Sequence, residues 1–192
     1  MVKIYVIDPN VLIQNPQALL SFEDNQVILP VVVLEELDNL KKAEGEKGRN
    51  ARAATRILEE LRLKGNLLEG VKLESQGIVR VEKNYIDVKL PEDLPEDKMD
   101  NRILKVCRGL ADTSGEQVVL VTKDILLRIK AQIIGIRAED YTTEQVVEYE
   151  GQYKGRIEVY VPEEKFKDFK KKGVPVEEVY LSDEFGNRIV PR

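Results

Sequence analysis

The chain of 192 residues has no His, a single Cys and a net charge of −5. A Ser-His-Asp triad, a His general base and a zinc cluster of His and Cys are therefore excluded. Any catalysis must come from carboxylates, alone or through an oxygen-preferring cation. Hydrophobic residues make up 42% of the sequence, enough for a packed core, and no apolar run approaches the roughly 20 residues that a membrane span needs. We expect a cytoplasmic protein with no membrane partner.

The first part of the chain alternates short β-branched runs with amphipathic segments. Lys3 to Ile7 predicts a buried strand, and Val27 to Leu29 predicts a second one that ends at a proline. Val31 to Lys42 and Asn50 to Lys64 have apolar residues at helical spacing, so each predicts a helix with one face in the core. The charged stretch Glu44 to Gly48, punctuated by glycines, predicts a loop between these helices.

The same alternation continues along the chain. Strands that alternate with helices predict an α/β fold with a central, mostly parallel sheet flanked by helices. The further predicted elements are a strand at Ile78 to Val81, an acidic loop at Asp87 to Asp97, a helix at Asp97 to Leu110, a third buried strand at Val118 to Thr122, a helix from Asp124 to Ile133, a short strand around Ile136 and a turn from Thr142.

The last part of the chain has a different pattern, which predicts two parts. We expect residues 1–148 to form the main domain, and residues 149–192 to form a small α+β appendage or linker. The features of this appendage are two strand-like runs, a basic segment and a turn-like stretch: Ile157 to Val161, Val176 to Leu181, Lys165 to Lys172 and Glu184 to Arg188.

Two acidic residues lie just past the ends of predicted strands. Asp8 comes after the first strand and Asp124 after the third. Ligands of parallel sheets bind outside the carboxyl ends of the strands, so these acids are expected at one edge of the sheet. Each Asp alone could equally be a helix N-cap. The polar neighbours Asn10 and Thr122 favour a shared site.

Two further acids lie within predicted helices. Glu36 interrupts an otherwise apolar helix, and Asp100 begins a helix whose Ile103, Leu104 and Cys107 face inward. Taken singly, either acid could be solvated or could stabilise a helix dipole. Four acids at the ends or edges of core elements, in a chain without His, favour a common site. Clustered carboxylates raise one another's pKa unless a cation neutralises them, so we expect a divalent metal there.

Four short motifs, in order along the chain, resemble the acidic motifs of PIN domains. Ile7 to Leu12 is similar to their opening Asp-Thr-Asn-Val-Leu motif, with Pro9 in place of the usual Thr. Val33 to Asp38 resembles the second motif, Asp100 to Leu104 the third and Val121 to Asp124 the fourth. Each motif alone is short, but the ordered set is fairly specific.

Several other stretches resemble one branch, the PIN-PhoH proteins, in which a PIN domain precedes a P-loop ATPase. They include Asp124 to Ala131 and Ala138 to Tyr141. The ATPase half is missing, and Tyr149 to Arg192 resembles the connector that precedes it, so the chain is either a fragment or a natural short form.

Gly65 and Gly70 have phosphate-loop spacing, but Val71 and Lys72 stand where Lys-Ser/Thr is required, so no nucleotide cofactor is expected in this chain.

This resemblance implies a PIN-like three-layer fold and a metal-dependent endoribonuclease. Such an enzyme hydrolyses phosphodiester bonds of RNA with Mg²⁺ or Mn²⁺ held by a carboxylate cluster. The implied catalytic and metal-binding residues are Asp8, Glu36, Asp100 and Asp124, with Asn10 and Thr122 in supporting roles.

Basic residues suggest where the partner, single-stranded RNA, would bind. Arg49, Arg52 and Arg56 are three and four residues apart, so they share one helix face that could hold phosphates. A solvated charged face is an equally good interpretation, because acidic residues lie on the same helix. Further basic residues flank the acidic motifs and could also contact phosphates: Lys123, Arg128, Lys130 and Arg102.

Two other classes of function remain open at this point. The chain could be a non-catalytic RNA-binding or assembly module that keeps the fold. It could also be a receiver-like phospho-acceptor domain, although the motif around Glu36 and the lack of a paired Asp-Asp near the N-terminus count against that reading. The sequence leaves homo-oligomer formation open.

Overall fold

The computed structural model describes residues 2–141, 181–182 and 188–189. The chain divides into two compact units, Met1–Glu148 and Tyr149–Arg192. No helix in the described part of the chain is long and apolar enough to span a membrane.

The first unit is built on a six-stranded sheet with the strand order β3-β4-β2-β1-β5-β6. Neighbouring strands are parallel throughout, except that β3 runs antiparallel to β4 at one edge. A mostly parallel sheet was predicted from the alternating pattern, and the structure confirms it. The strands are β1 Lys3–Ile7, β2 Gln26–Pro30, β3 Val71–Lys72, β4 Ile78–Glu82, β5 Gln117–Val121 and β6 Arg137–Glu139.

The central strands are buried on both faces. In β1, the successive residues Val6 and Ile7 are both fully buried, and in β5 the same is true of Leu120 and Val121. Successive side chains of a strand point to opposite faces, so both faces of the sheet are covered. This arrangement gives the three-layer α/β architecture, with helices outside the sheet.

Five α-helices and one 3₁₀ turn connect these strands. Three of the helices, α2, α4 and α5, agree with the predicted segments to within a few residues, and α4 is capped by Gly115, whose φ of 69° suits a left-handed helix cap. The short α1 and the 3₁₀ turn between β1 and β2 were not predicted. The elements are α1 Pro9–Gln14, the 3₁₀ turn Pro16–Leu20, α2 Val31–Leu40, α3 Gly45–Lys64, α4 Met99–Ser114 and α5 Ile125–Ile133.

The loop predicted at Glu44 to Gly48 is wrong, because α3 already begins at Gly45. Gly48 is buried, and a Cβ at this position would collide with the carbonyl oxygen of Ala43. The glycine therefore allows the chain to turn tightly from α2 into α3. In the sequence the same residue resembles a helix breaker.

In the second unit, the described residues form two short strands, β7 Leu181–Ser182 and β8 Arg188–Ile189, which pair antiparallel. The predicted runs Ile157 to Val161 and Lys165 to Lys172, and the turn predicted from Thr142, lie outside the described residues.

Candidate functional site

The site lies where β1 and β5 end side by side. The register pairs Ile7 with Val121, so the next residues, Asp8 and Thr122, are neighbours at the carboxyl edge of the sheet. From β1 the chain continues to β2 on one side, and from β5 it continues to β6 on the other. In parallel sheets, ligands bind in the crevice that such a switch in direction forms between the two strands.

Asp8 is a buried carboxylate in which only one of the two oxygens accepts a hydrogen bond from a described residue. Its side chain is only 1% exposed. The hydroxyl of Thr122 donates a hydrogen bond to Oδ2 of Asp8 at 2.9 Å. The other oxygen, Oδ1, is buried and accepts no hydrogen bond from any described residue. A buried polar atom without a partner is costly, so this oxygen is suited to a ligand that the protein itself does not supply.

The surroundings of Asp8 change its acidity. Burial raises the pKa of Asp8 to about 6, while the hydrogen bond from Thr122 works against this rise. The side-chain amide and the backbone N–H of Asn10 lie near Asp8 and also lower the pKa of Asp8. Neither group is oriented well enough to make a hydrogen bond to Oδ1. The negative charge of Asp100 raises the pKa further, which places Asp100 within electrostatic range of Asp8.

Thr122 also connects the site to Asp124. Its hydroxyl oxygen accepts a hydrogen bond from the backbone N–H of Asp124 at 3.0 Å. Oδ1 of Asp124 in turn accepts from the N–H groups of Leu126 at 2.7 Å and Leu127 at 3.4 Å, so Asp124 is the N-cap of α5. The helix N-cap role, which the sequence left open for Asp124, is therefore observed. Oδ2 of Asp124 makes no hydrogen bond to a described residue.

Asp100 lies in the first turn of α4 and is paired with a cation. The ammonium of Lys130, on α5, lies 2.9 Å from Oδ2 of Asp100. The two side chains are 31% and 26% exposed, so this contact is partly shielded from water. No motif in the sequence indicated that these two residues would meet, because they come from different helices.

Glu36 is partly buried near the middle of α2 and makes no ion pair with a described residue. Its neighbour Glu35 is exposed and lies 3.3 Å from a guanidinium nitrogen of Arg102. Within residues 2–141, no three Asp, Glu, His or Cys side chains are grouped so that they could hold a metal ion. The structure thus brings Asp8 and Asp100 into range of each other but does not assemble all four predicted acids into one group.

The predicted RNA-binding residues fall into two sets. Arg49, Arg52 and Arg56 are all exposed on α3, and Arg52 donates to the backbone carbonyl of Lys41 at 2.7 Å. Arg49 and Arg56 make no ion pair with any described residue. They are therefore the members of this set that are available to an external anion.

Lys123 and Arg128 belong to the other set, in which both cations share an ion pair with one acid. The carboxylate of Asp140 lies 3.4 Å from the ammonium of Lys123 and 3.6 Å from the guanidinium of Arg128. Asp140 follows the strand β6, just as Asp8 follows β1. The rule that identified Asp8, an acid at the end of a strand, would also have identified Asp140.

The carboxylates near Asp8 have the chemistry that suits a divalent cation, although they are not yet grouped around one point. Asp8 offers a buried oxygen that accepts no hydrogen bond from the described residues, and the nearby charge of Asp100 repels it unless a cation intervenes. Carboxylate oxygens are the ligands that Mg²⁺ and Mn²⁺ prefer. Oδ2 of Asp124, two residues after Thr122, accepts no hydrogen bond from a described residue and could complete such a set.

The sequence profile described as "PIN domain" matches residues 5–142. The chain belongs to the PIN domain family. This is a nuclease-type family, and PIN domains generally use divalent metals. The family assignment agrees with the resemblance found in the four acidic motifs and with the fold.

Three relatives of this PIN domain carry the name Protein PhoH2. The chain is 43% identical to the Bacillus subtilis protein over 175 residues, which is 88% of this chain and 40% of the relative. It is 39% identical to the Thermobispora bispora protein over 145 residues, which cover 75% of this chain and 33% of the relative. With the Mycolicibacterium smegmatis protein the identity is 40% over 149 residues, 76% of this chain and 34% of the relative. The chain thus spans less than half the length of these relatives.

Among solved structures, the fold is similar to a domain of a functionally unknown protein from Methanocaldococcus jannaschii. The identity is 21% and the TM-score is 0.47, and the match covers 73% of this chain and 92% of the other.

Proposed function

We propose that this PIN domain is a metal-dependent endoribonuclease that hydrolyses phosphodiester bonds in single-stranded RNA with Mg²⁺ or Mn²⁺. The observation that supports the proposal most strongly is the Asp8 carboxylate, which is buried and accepts a hydrogen bond from Thr122 through one oxygen, while its other oxygen has no hydrogen-bond partner among the described residues. Burying an ionised carboxylate with an unpaired oxygen destabilises the folded state, and a bound cation would remove this free-energy cost.

The proposed metal ligands are carboxylates around the crevice between β1 and β5. Asp8 would contribute Oδ1, and Asp100 and Asp124 would contribute from the first turn of α4 and the start of α5. Glu36, on α2, completes the four acids that the motif resemblance implies. Because these acids are not grouped before the metal binds, we expect the ion to draw them together.

A bound divalent ion would supply Lewis-acid polarisation of a phosphoryl oxygen and an acidified water as nucleophile, which no side chain of this His-free site provides. The chain's own contribution is orientation. Thr122 fixes the Asp8 carboxylate through Oδ2 and anchors the backbone of Asp124, so both acids are held relative to the same strand end. Asn10, beside Asp8, supports the ionised form of this carboxylate.

RNA is proposed to bind through its phosphates. Arg49 and Arg56, exposed on α3 and without an ion-pair partner among the described residues, are the best placed of the predicted basic residues. Lys123 and Arg128 are proposed to play a smaller part, because both already form an ion pair with Asp140, which offsets part of their charge. Phosphate contacts of this kind provide affinity without sequence selectivity.

A non-catalytic RNA-binding module is the second candidate. It is favoured by the absence, among the described residues, of an acid group already arranged to hold a metal. It is also favoured by the role of Asp124, which is partly committed to capping α5.

Cleavage of single-stranded RNA, labelled at one end and incubated with Mn²⁺ or with EDTA, separates these two candidates. The nuclease proposal predicts internal cleavage products that need Mn²⁺ and disappear in the Asp8→Asn variant. RNA binding without any cleavage by the wild-type chain would favour the non-catalytic module. Cleavage that persists in EDTA or in Asp8→Asn would contradict the proposed site or reveal a contaminating nuclease.

A further inference from the structure

We propose that Lys130 is a positioning residue that couples metal binding to RNA binding, an inference that rests on the proposed function. In the metal-free site, its ammonium holds the carboxylate of Asp100. When a divalent cation takes over that carboxylate, Lys130 is released to hold a phosphate of the RNA.

The starting point is the contact between the two side chains. The ammonium of Lys130 lies 2.9 Å from Oδ2 of Asp100, and hydrogen bonding accompanies the charge attraction. Asp100 is also the acid whose charge acts on Asp8. Lys130 therefore supplies part of the positive charge that keeps two mutually repelling carboxylates in one place when no metal is bound.

Lys130 differs from the other basic residues near the acidic motifs in the identity of its partner. Lys123 and Arg128 pair with Asp140, and Arg102 pairs with Glu35, and neither of these acids belongs to the proposed metal ligands. Lys130 pairs with Asp100, which does belong to them. Metal binding would thus remove the partner of Lys130 and leave the other three ion pairs unchanged.

An ammonium and a divalent cation compete for the same carboxylate oxygens. While Lys130 stays on Asp100, its charge also repels an incoming cation, and this repulsion weakens metal binding. The freed side chain has a flexible four-carbon stem and three N–H donors, which suit a phosphate at the edge of the site. Binding of metal and binding of RNA should then strengthen each other by the same factor.

The proposal predicts opposite changes in two affinities when Lys130 is replaced by Met. Calorimetric titration with Mn²⁺ alone should show affinity raised about 3- to 10-fold, the range that a partly buried ion pair is worth. Binding of a fluorescent single-stranded RNA at saturating Mn²⁺, with its integrity checked on a gel, should weaken by a similar factor. Lys130→Arg keeps the charge and should restore RNA binding.

The matched control is Lys72→Met, which removes the same charge from β3, an edge strand separated from β1 by two others. It should change neither affinity. If Lys130→Met weakens Mn²⁺ binding or leaves it unchanged, while the wild type binds Mn²⁺, the coupling role is wrong and Lys130 is merely structural. If no variant binds Mn²⁺, the proposed metal-dependent function fails together with this inference.

Discussion

The hydroxyl of Thr122 donates a hydrogen bond to Oδ2 of Asp8 at 2.9 Å, while Oδ1 of the same carboxylate is buried with no hydrogen bond from any described residue. The two side chains come from adjacent parallel strands whose register pairs Ile7 with Val121. The sheet therefore fixes one half of the carboxylate and leaves the other half for a ligand. This asymmetry makes the Asp8 carboxylate the centre of the proposed metal site.

Replacing Thr122 by Val removes the hydroxyl at nearly constant volume. We expect the free energy of unfolding to fall by about 1–3 kcal/mol, because Oδ2 of Asp8 and the N–H of Asp124 both lose a partner. Urea denaturation measures this change. Thr55→Val, which removes a hydroxyl that donates to the Ala51 carbonyl on α3, is the control and should cost clearly less. An equal loss of unfolding free energy in the two variants would show that the hydrogen bond to Asp8 contributes no more than an ordinary helix contact.

The raised pKa of Asp8 predicts a specific pH dependence of stability in metal-free buffer. The folded chain binds this proton more tightly than the unfolded chain does, since the pKa is about 6 when folded and near the ordinary 3.8 when unfolded. The free energy of unfolding should therefore decrease as the pH rises from about 4 to 6, by on the order of 3 kcal/mol, and then level off.

Asp8→Asn tests the origin of that pH dependence. The amide is uncharged and can still accept from Thr122, so this contribution to the slope should vanish. The variant should be more stable than the wild type at pH 7.5 in EDTA. A wild-type chain and an Asp8→Asn variant with the same stability profile between pH 4 and 7 would refute the buried-charge description of Asp8.

Much of this site could be predicted from the sequence because it depends on strand ends. A β-branched run followed by an Asp predicts both the strand β1 and the position of Asp8 at its end. A second β-branched run, which forms β5, predicts the position of Thr122 in the same way. The role of Asp124 could not be settled in this way. An acid between a strand and a helix has the same sequence pattern whether it caps the helix or binds a ligand.

Contacts between distant elements could not be predicted. Lys130 and Asp100 meet only because α5 and α4 are rotated so that these two side chains face each other, and helical periodicity within each segment does not determine that rotation. The neutralisation of Lys123 by Asp140 likewise depends on how β5 and β6 lie side by side. The sequence therefore indicated which charges lie near the site but not how they pair.

The exposed arginines of α3 predict a salt-dependent affinity for RNA. Changing Arg49 and Arg56 together to Gln should weaken binding of single-stranded RNA and reduce the slope of log affinity against log salt by about 1.4, since each lost phosphate contact accounts for roughly 0.7. Arg62→Gln on the same helix is the control, because Arg62 is already paired with Glu59 at 2.7 Å. An unchanged slope in the double variant would mean that this helix face is only solvated.

Pro9 stands where the resemblance to the opening PIN motif predicts Thr, and the structure explains why proline is accepted. Asp8 has φ −78° and ψ 145°, the extended geometry that precedes a proline, and Pro9 begins α1, where a missing N–H costs little. A threonine would add an N–H and a hydroxyl beside Asp8. Pro9→Thr should raise Mn²⁺ affinity by about 10-fold with little change in melting temperature.

Pro16→Thr is the matched control for this change, because Pro16 begins the 3₁₀ turn in the same way that Pro9 begins α1. It should leave Mn²⁺ affinity unchanged. If both substitutions have the same effect, or if Pro9→Thr has none, the residue after Asp8 takes no part in supporting the metal.

The most direct test of the central claim is a calorimetric titration of the chain with Mn²⁺ between pH 5 and 8. We predict one site whose affinity increases as the pH rises through about 6, where Asp8 loses its proton, and then levels off. Asp8→Asn should weaken binding by more than the roughly 10- to 100-fold typical of groups that only orient a metal ligand. Asp112→Asn, which removes an exposed acid paired with Arg108, should bind as the wild type does. Mn²⁺ binding that is unchanged in Asp8→Asn, or absent at every pH in the wild type, would contradict the account.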